Sequence, residues 1–172
     1  MARVAVRFRP GTIVTIGLAA GVIFAAFQVL AAELVLGMAS AMFPLRMIAA
    51  IVVGPRALDA SYSLLLAAAI GLALHLLLSI AYTAILALIV SWISTATHEE
   101  LLSGALGDAF TGVFFGITLY VLNYYIISPM AGWAWFREGG NVLVEFLSHG
   151  VFGGAAGWML AKSRSEAVGV ML

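Results

Sequence analysis

Four long apolar runs, separated by short polar stretches, dominate the hydrophobic pattern of this chain. A helix crosses the hydrocarbon core of a membrane with about 20 residues, because each residue adds about 1.5 Å against roughly 30 Å of thickness. The runs that meet this length are residues 13–38, 63–93, 101–127 and 142–161. The pattern therefore predicts an all-α, polytopic membrane four-helix bundle, with residues 1–172 forming a single transmembrane domain.

The segments between these runs carry signals of their own. Residues 44–55 are apolar but too short to cross a membrane, which predicts a short interfacial or re-entrant segment after the first span. The third run is expected to end at Ser128 and Pro129, because proline cannot continue the hydrogen-bond ladder of a helix. The loop that follows contains Trp133 and Trp135, which is typical of the aromatic belt at lipid headgroups.

Composition excludes a soluble domain and narrows the chemistry. Charged residues make up 9% of the chain and hydrophobic residues 64%, whereas soluble domains carry about 25% charged residues. The formal net charge is zero, so no overall field attracts nucleic acid, and the lipid bilayer is the expected partner. Cysteine is absent, which excludes disulfides, thiolate metal sites and cysteine nucleophiles.

The distribution of basic residues predicts the orientation in the membrane. The N-terminal tail, residues 94–100 and the C-terminal tail together hold five arginines and lysines, and the two remaining loops hold three. Cytoplasmic loops of membrane proteins are enriched in these residues. We therefore expect a multi-pass protein with both termini in the cytoplasm.

An internal repeat relates the two halves of the chain. At a constant offset of 91 (112 − 21 = 137 − 46), residues 21–24 correspond to residues 112–115, and Arg46 corresponds to Arg137. His75 and His149 occupy comparable positions in the second and fourth runs. The pattern predicts two repeated helical hairpins, related by an axis along the membrane normal.

Polar side chains inside the apolar runs mark the candidate site, because they are costly in a membrane and usually have a partner or a task. Counting about 1.5 Å per residue gathers them toward the outer side, with His75 deepest. The candidates for binding or proton handling are Glu33, Arg46, His75, Asn123, Arg137, Glu145 and His149. In the alternative, structural interpretation, Glu33 pairs with Arg46. Glu145 then pairs with Arg137 or His149, and these contacts merely hold helices together.

A sharper hypothesis uses the two histidines as ligands. Bis-histidine ligation of a b-type haem between bundle helices needs no cysteine, and His75 and His149 come one from each hairpin. A rise of about 1.5 Å per residue separates their depths by roughly 8 Å, which counts against a shared haem. No other cofactor or metal is expected.

Glycines four residues apart recur in the runs. The pairs are Gly17 and Gly21, Gly112 and Gly116, Gly150 and Gly154, and Gly153 and Gly157. Small residues at this spacing allow helix backbones to approach closely in lipid. The spacing predicts tight packing, but it does not say whether the neighbouring helix belongs to the same chain.

The sequence contains no catalytic signature: no Walker loop, dinucleotide fingerprint, H-E-x-x-H motif or G-x-S-x-G elbow occurs. We therefore predict a non-enzymatic membrane module or accessory subunit of a larger membrane complex, packed against other membrane helices. The first alternative is a small homo-oligomeric transporter or channel that uses the outward-facing polar cluster. The second alternative is a b-haem electron-transfer protein.

Three stretches taken in order resemble a known group of proteins. They are residues 45–55 (LRMIAAIVVGP), residues 75–82 (HLLLSIAY), and residues 134–138 (AWFRE) followed by 149–152 (HGVF). They resemble short bacterial four-span membrane proteins that automated naming often labels "sodium:proline symporter", and more remotely the YagU-like inner-membrane proteins. The resemblance implies a bacterial inner membrane location and no assured activity, since true sodium–solute symporters are much larger.

Overall fold

The computed structural model describes residues 8–34, 37, 42–96 and 104–169. Throughout these residues the regular structure is helical, without a strand. The α-helices, in chain order, are α1 Pro10–Leu34, α2 Phe43–Val53, α3 Leu64–Ala96, α4 Ala105–Val121, α5 Ser128–Met130, α6 Trp135–Gly139 and α7 Val142–Gly169. A 3-10 turn, Pro55–Leu58, follows α2, and a π-helical segment, Leu122–Ile127, joins α4 to α5.

Three stretches of helix are long and apolar enough to cross a membrane. They are Pro10–Leu34, Leu64–Ser94 and Ala105–Met130. The chain is therefore a multi-pass integral membrane protein, as the first three apolar runs predicted. Helix α7 has 28 residues, but it is not one of the three, because Glu145, Ser148 and His149 interrupt its apolar sequence. The fourth crossing stays a prediction.

The long helices pack side by side, with α1 against both α3 and α7, and α4 along α7. Phe24 of α1 packs against Phe152 of α7, and Gln28, one turn further along α1, bonds to Glu145, earlier in α7. The two helices therefore run in opposite directions, which places the start of α1 and the end of α7 at the same end of the bundle. The fully buried core includes Ala20, Leu86, Val90, Ala156 and Leu160.

Glycine determines how closely α4 and α7 approach. A Cβ atom added to Gly112 or Gly153 would overlap the backbone carbonyl of the other residue. A Cβ atom on Gly116 would overlap the carbonyl of His149 in the same way. Only a residue without a side chain allows two helix backbones to come this close. These glycines therefore pack against helices of the same chain, a point that the sequence alone could not decide.

The short apolar segment after α1 forms helix α2, which lies directly on α3. A Cβ atom on Gly71 of α3 would overlap the backbone carbonyl of Leu45 in α2. Half or more of this helix is buried, namely Pro44, Leu45, Arg46, Met47, Ala49 and Ala50. Helix α2 is therefore an integral part of the bundle, and its position relative to the membrane surface stays a prediction.

The prediction that the third span ends before Pro129 is wrong. The helix continues through the π segment into α5 and ends at Met130. In the π segment the hydrogen bond reaches five residues back, since the Ser128 N–H donates to the Asn123 carbonyl. This wider turn displaces the carbonyls that would otherwise clash with a proline ring, so Pro129 is accommodated.

Helix α7 also extends beyond its predicted end at residue 161, to Gly169. Arg164 forms an ion pair with Asp108 near the start of α4, and the Lys162 ammonium lies 4.3 Å from the ring centroid of Trp158. The ion pair holds the last turns of α7 against the bundle at the end opposite to α2. At the other boundaries, residues 35, 36, 38 and 101–103 of the predicted runs lie outside the described residues.

Candidate ligand-binding site

A partly open cavity of about 260 Å³ lies between the helices at the end of the bundle where α2 packs. Helices α1, α2, α3, α4, α6 and α7, together with the π segment, contribute to its walls. Most of the lining is apolar or aromatic, and the polar side chains that reach it are Gln28, His75, Ser79, Tyr82, Asn123, Tyr124, Glu145 and His149. A largely apolar cavity with a few convergent polar groups is the usual form of a small-molecule site.

Glu145 is the acidic group of this cavity, and its side chain is only 4% exposed. The Gln28 side-chain amide donates to Glu145 Oε2 at 2.5 Å and lies 3.4 Å from the Ser148 hydroxyl. The Tyr124 side chain also lies close to the Glu145 carboxylate. Across the described ranges no arginine, lysine or histidine forms an ion pair with Glu145. The side chains nearest to it are neutral, so in the described ranges its carboxylate has no positive partner.

The two histidines are fixed by backbone carbonyls. His75 Nε2 donates to the Gly21 carbonyl at 2.8 Å, and His149 Nδ1 donates to the Glu145 carbonyl at 2.7 Å. A carbonyl can only accept, so the bonded nitrogen of each ring carries its hydrogen. Phe24 packs against both rings, with centroid distances of 5.0 Å to each. The histidines are therefore close to each other, with both orientations fixed by backbone contacts.

This arrangement does not fit a haem held between His75 and His149. Two axial ligands must approach the iron from opposite faces of the macrocycle, which leaves no room for another side chain between them. The Phe24 ring contacts both imidazoles instead. Within the described part of the chain, no three histidine, aspartate or glutamate side chains are grouped so that they could hold a metal ion.

The π segment supplies two further polar side chains to the cavity. Asn123 Oδ1 accepts a hydrogen bond from the Tyr82 hydroxyl at 3.2 Å. Tyr124 is buried, with its ring 5.4 Å from that of Phe136. π-Helical turns occur often at functional sites, because they re-aim side chains within an otherwise regular helix. The turn thus places Asn123 and Tyr124 at the cavity, and the same turn accommodates the proline that follows.

The structure brings together four of the candidate residues from the sequence, and three lie elsewhere. His75, Asn123, Glu145 and His149 line the cavity. The three outside it are Glu33 and Arg137, which are exposed, and Arg46, a buried residue of α2 whose side chain reaches the segment after that helix. The depth of a residue along a helix therefore does not decide which face of the helix it occupies.

The guanidinium of Arg46 donates its hydrogen bonds to the segment that follows α2. It donates to the backbone carbonyls of Ala57, Asp59 and Tyr62 at 2.7, 2.9 and 3.0 Å. The expected pair of Arg46 with Glu33 therefore does not form, because three carbonyls take its donors. The expected pair of the Glu145 carboxylate with Arg137 or His149 does not form either. The carboxylate accepts from Gln28, Arg137 is exposed, and His149 bonds to the backbone carbonyl of Glu145.

Sequence reasoning missed Gln28 as a site residue. An amide in the middle of an apolar run is a signal of the same kind as an intramembrane histidine, and it would have identified this residue. The role of Tyr124 depends on the π segment, for which the sequence gives no recognisable sign.

None of the family models, curated proteins or solved structures compared with this chain matches it. The resemblance to short four-span bacterial proteins therefore stays a prediction.

Proposed function

We propose that this protein binds a small molecule within the membrane, in the cavity at the α2 end of a four-span bundle, without covalent chemistry. The convergence of Gln28, His75, Glu145 and His149 on one cavity carries the proposal. Polar groups are costly inside a membrane and gather where they have partners or a ligand. In this bundle the polar groups gather around a cavity, so a ligand has space beside them.

The proposal includes α7 as the fourth span. Helix α7 packs along α4 from His149 to Gly157 and along α1 through Glu145 and Phe152. A helix that follows two membrane-spanning neighbours in this way shares their depth. Its intramembrane polar side chains, Glu145, Ser148 and His149, are each 8% exposed or less. Burial against the bundle keeps these polar side chains out of contact with lipid, which lowers the free-energy cost of a membrane crossing by this less apolar helix.

The proposed orientation follows from the excess of basic residues at the termini. In a four-span bundle the start of α1 and the end of α7 lie at the end opposite to α2. With these ends in the cytoplasm, the cavity faces the outer side of a bacterial inner membrane. A ligand would then reach Glu145 and the histidines from outside the cell or from the outer leaflet.

A carrier is the second candidate function, and the partial opening of the cavity favours it. Carriage requires the opposite end of the bundle to open as well. That end is closed by the buried side chains of Leu86, Val90 and Leu160 and by the Asp108–Arg164 ion pair. Uptake of a labelled ligand into proteoliposomes separates a carrier from a protein that only binds.

The accessory-subunit hypothesis loses one of its supports. It drew on glycine faces that could receive helices of another protein. Gly17, Gly21, Gly112, Gly116 and Gly153 are all in contact with helices of the same chain. Glycine packing therefore gives no reason to expect a partner protein, and co-purification of the chain from its own membranes tests for one.

Accessibility of the cavity can be tested by cysteine labelling, since the chain contains no cysteine. Ser79 and Thr83 lie one turn apart on α3 and are 3% and 0% exposed, but only Ser79 lines the cavity. We expect Ser79→Cys to react with methyl methanethiosulfonate in membranes much faster than Thr83→Cys does. Equal protection of both cysteines would mean that the cavity is closed to small molecules and would contradict the proposal.

A further inference from the structure

The unpaired polar atoms at the cavity are mainly hydrogen-bond acceptors. His75 and His149 each donate one ring N–H to a carbonyl, so the second nitrogen of each neutral ring is an acceptor. Neither second nitrogen has a hydrogen-bond partner in the described ranges, and neither belongs to the fully buried unpaired atoms there. Both are therefore open to the cavity that the two rings line. A ligand that satisfies them must bring donors.

Glu145 adds further acceptor capacity. A carboxylate offers about four lone-pair sites, and the hydrogen bond that reaches this one comes from the Gln28 amide, with the Tyr124 side chain close by. A buried carboxylate without a positive partner is costly. A cation with N–H groups that enters the cavity would remove this cost and would donate hydrogen bonds to the remaining lone pairs.

The aromatic walls favour the same kind of ligand. Phe24, Tyr124, Trp133 and Phe136 line the cavity together with aliphatic side chains. Faces of aromatic rings attract cations, and the attraction is stronger where water is excluded. The apolar remainder of the lining requires that the ligand also carry an apolar group. The volume of about 260 Å³ lies just below the usual range of roughly 300–1,000 Å³ for ligand pockets, so the ligand is small.

We propose that the cavity binds a small protonated amine with one aromatic or branched apolar group. Its ammonium N–H groups bond to Glu145 and to the free nitrogens of His75 and His149, and its apolar group packs among the rings. This inference rests on the proposed binding function and names the class of ligand. It predicts discrimination between ligands of one shape that differ only in charge and donors.

The test uses two probes with the same number of non-hydrogen atoms: benzylammonium, which has the charge and the donors, and ethylbenzene, which has neither. Ligand-observed NMR titrations on the full chain in nanodiscs, with empty nanodiscs subtracting the lipid contribution, give the affinity of each probe. The variants are Glu145→Gln and, as the matched control, Glu33→Gln, because Glu33 is exposed and does not line the cavity.

The expected result is that benzylammonium binds the unaltered chain and the Glu33→Gln variant equally. Its affinity for Glu145→Gln falls by roughly tenfold or more, since hydrogen bonds to charged groups are the stronger ones. Ethylbenzene binds all three proteins alike, which shows that the cavity of Glu145→Gln is intact. Equal affinity of benzylammonium for all three proteins would overturn the amine proposal.

The two probes on the unaltered chain decide the matter even if Glu145→Gln fails to fold. Binding of ethylbenzene without binding of benzylammonium would overturn the amine proposal and leave the binding function standing. Binding of neither probe beyond that of empty nanodiscs would overturn both.

Discussion

The α4–α7 pair and the α1–α3 pair make different kinds of contact where their helices approach most closely. Helices α4 and α7 meet backbone to backbone, with Gly112 against Gly153. Helices α1 and α3 also approach closely at Gly17, which faces the backbone of Ile80. One turn later, however, Gly21 faces a side chain: the Ser79 hydroxyl oxygen lies 2.6 Å from the position that a Cβ of Gly21 would occupy.

The difference shows two uses of glycine inside a membrane. In α4 and α7 it admits another backbone, which leaves no space between the helices. In α1 it makes room for polar groups of α3, since His75 donates to the Gly21 carbonyl and Ser79 lies beside it. The cavity lies next to these polar groups of α3, and His75 and Ser79 both line it. In the predicted repeat, the offset of 91 makes Gly21 and Gly112 equivalent positions. The two glycines nevertheless face different groups, a side chain and a backbone. The repeat itself stays a prediction.

The largest expected effect comes from breaking the backbone contact between α4 and α7. In Gly153→Ala the added Cβ overlaps the Gly112 carbonyl, and neither backbone can move without its whole helix. We expect the free energy of unfolding to fall by about 3 kcal/mol or more, the upper range for overpacking. An SDS unfolding titration in mixed micelles measures it.

The matched control for this prediction is Gly150→Ala, on the same helix. A Cβ there meets only Val113, at 4.0 Å, so its effect should stay within about 1 kcal/mol, the helix preference of alanine over glycine. Similar unfolding curves for the two variants would contradict backbone-to-backbone closure.

The next effect concerns α2 and the segment after it, which pack mainly against α3. Arg46 donates to three carbonyls that follow α2, and in Arg46→Met these acceptors lose their partner. We expect a loss of about 2–3 kcal/mol, because unsatisfied buried acceptors are costly. Arg56→Met is the control, since Arg56 is exposed and, within the part of the chain that the structure describes, donates to the nearby Val53 carbonyl alone. Equal unfolding free energies for both variants would show that Arg46 does not fix this segment.

A smaller effect is expected where a side chain rather than a backbone fills the space. In Gly21→Ala the new Cβ meets the Ser79 hydroxyl oxygen at 2.6 Å and the Ser79 Cβ at 2.8 Å. A change of serine rotamer moves the hydroxyl away, and a small helix shift relieves the contact with the Cβ. We expect a loss of about 1–2 kcal/mol, the lower range for overpacking. In the Ser79→Ala background the added methyl should be tolerated better, so a double-mutant cycle should show coupling. Strict additivity of the two changes would contradict the contact.

The smallest effect is expected at Thr83, on the same face of α3 but away from the cavity. Its hydroxyl is fully buried and has no hydrogen-bond partner among the described residues. Thr83→Val keeps the shape and removes an unsatisfied polar atom, so the unfolding free energy should stay equal or rise by up to about 1 kcal/mol. A clear loss of stability in the same titration would mean that the hydroxyl is bonded after all.

The sequence predicted the helical membrane class because length and composition suffice for it. It located His75, Glu145 and His149 because ionisable groups stand out in apolar runs. It misplaced Glu33, since depth along a helix ignores direction around it: Gln28 and Glu33 are five residues apart, or about 140° around the axis at roughly 100° per residue. Gln28 faces the cavity and Glu33 does not.

Other errors arose from features that no local pattern reveals. Arg46 was expected to find a carboxylate, but the turn after α2 offers three carbonyls, and a turn's path is set by tertiary packing. Pro129 was expected to end a helix, but the wider turn of the π segment before it makes room for the proline ring. The same π segment places Tyr124 beside Glu145, so one unforeseen turn accounts for both the wrong helix boundary and the absence of Tyr124 from the candidate site residues.

The central claim is that the polar residues serve a ligand and not a partner protein. Native mass spectrometry of the chain, released gently from its own membranes, tests it most directly. We predict a small non-protein adduct on the unaltered chain and on the Glu33→Gln variant, and its loss from Glu145→Gln. A second, different protein chain at fixed stoichiometry, with no small adduct on any of the three proteins, would contradict the account and support an accessory subunit instead.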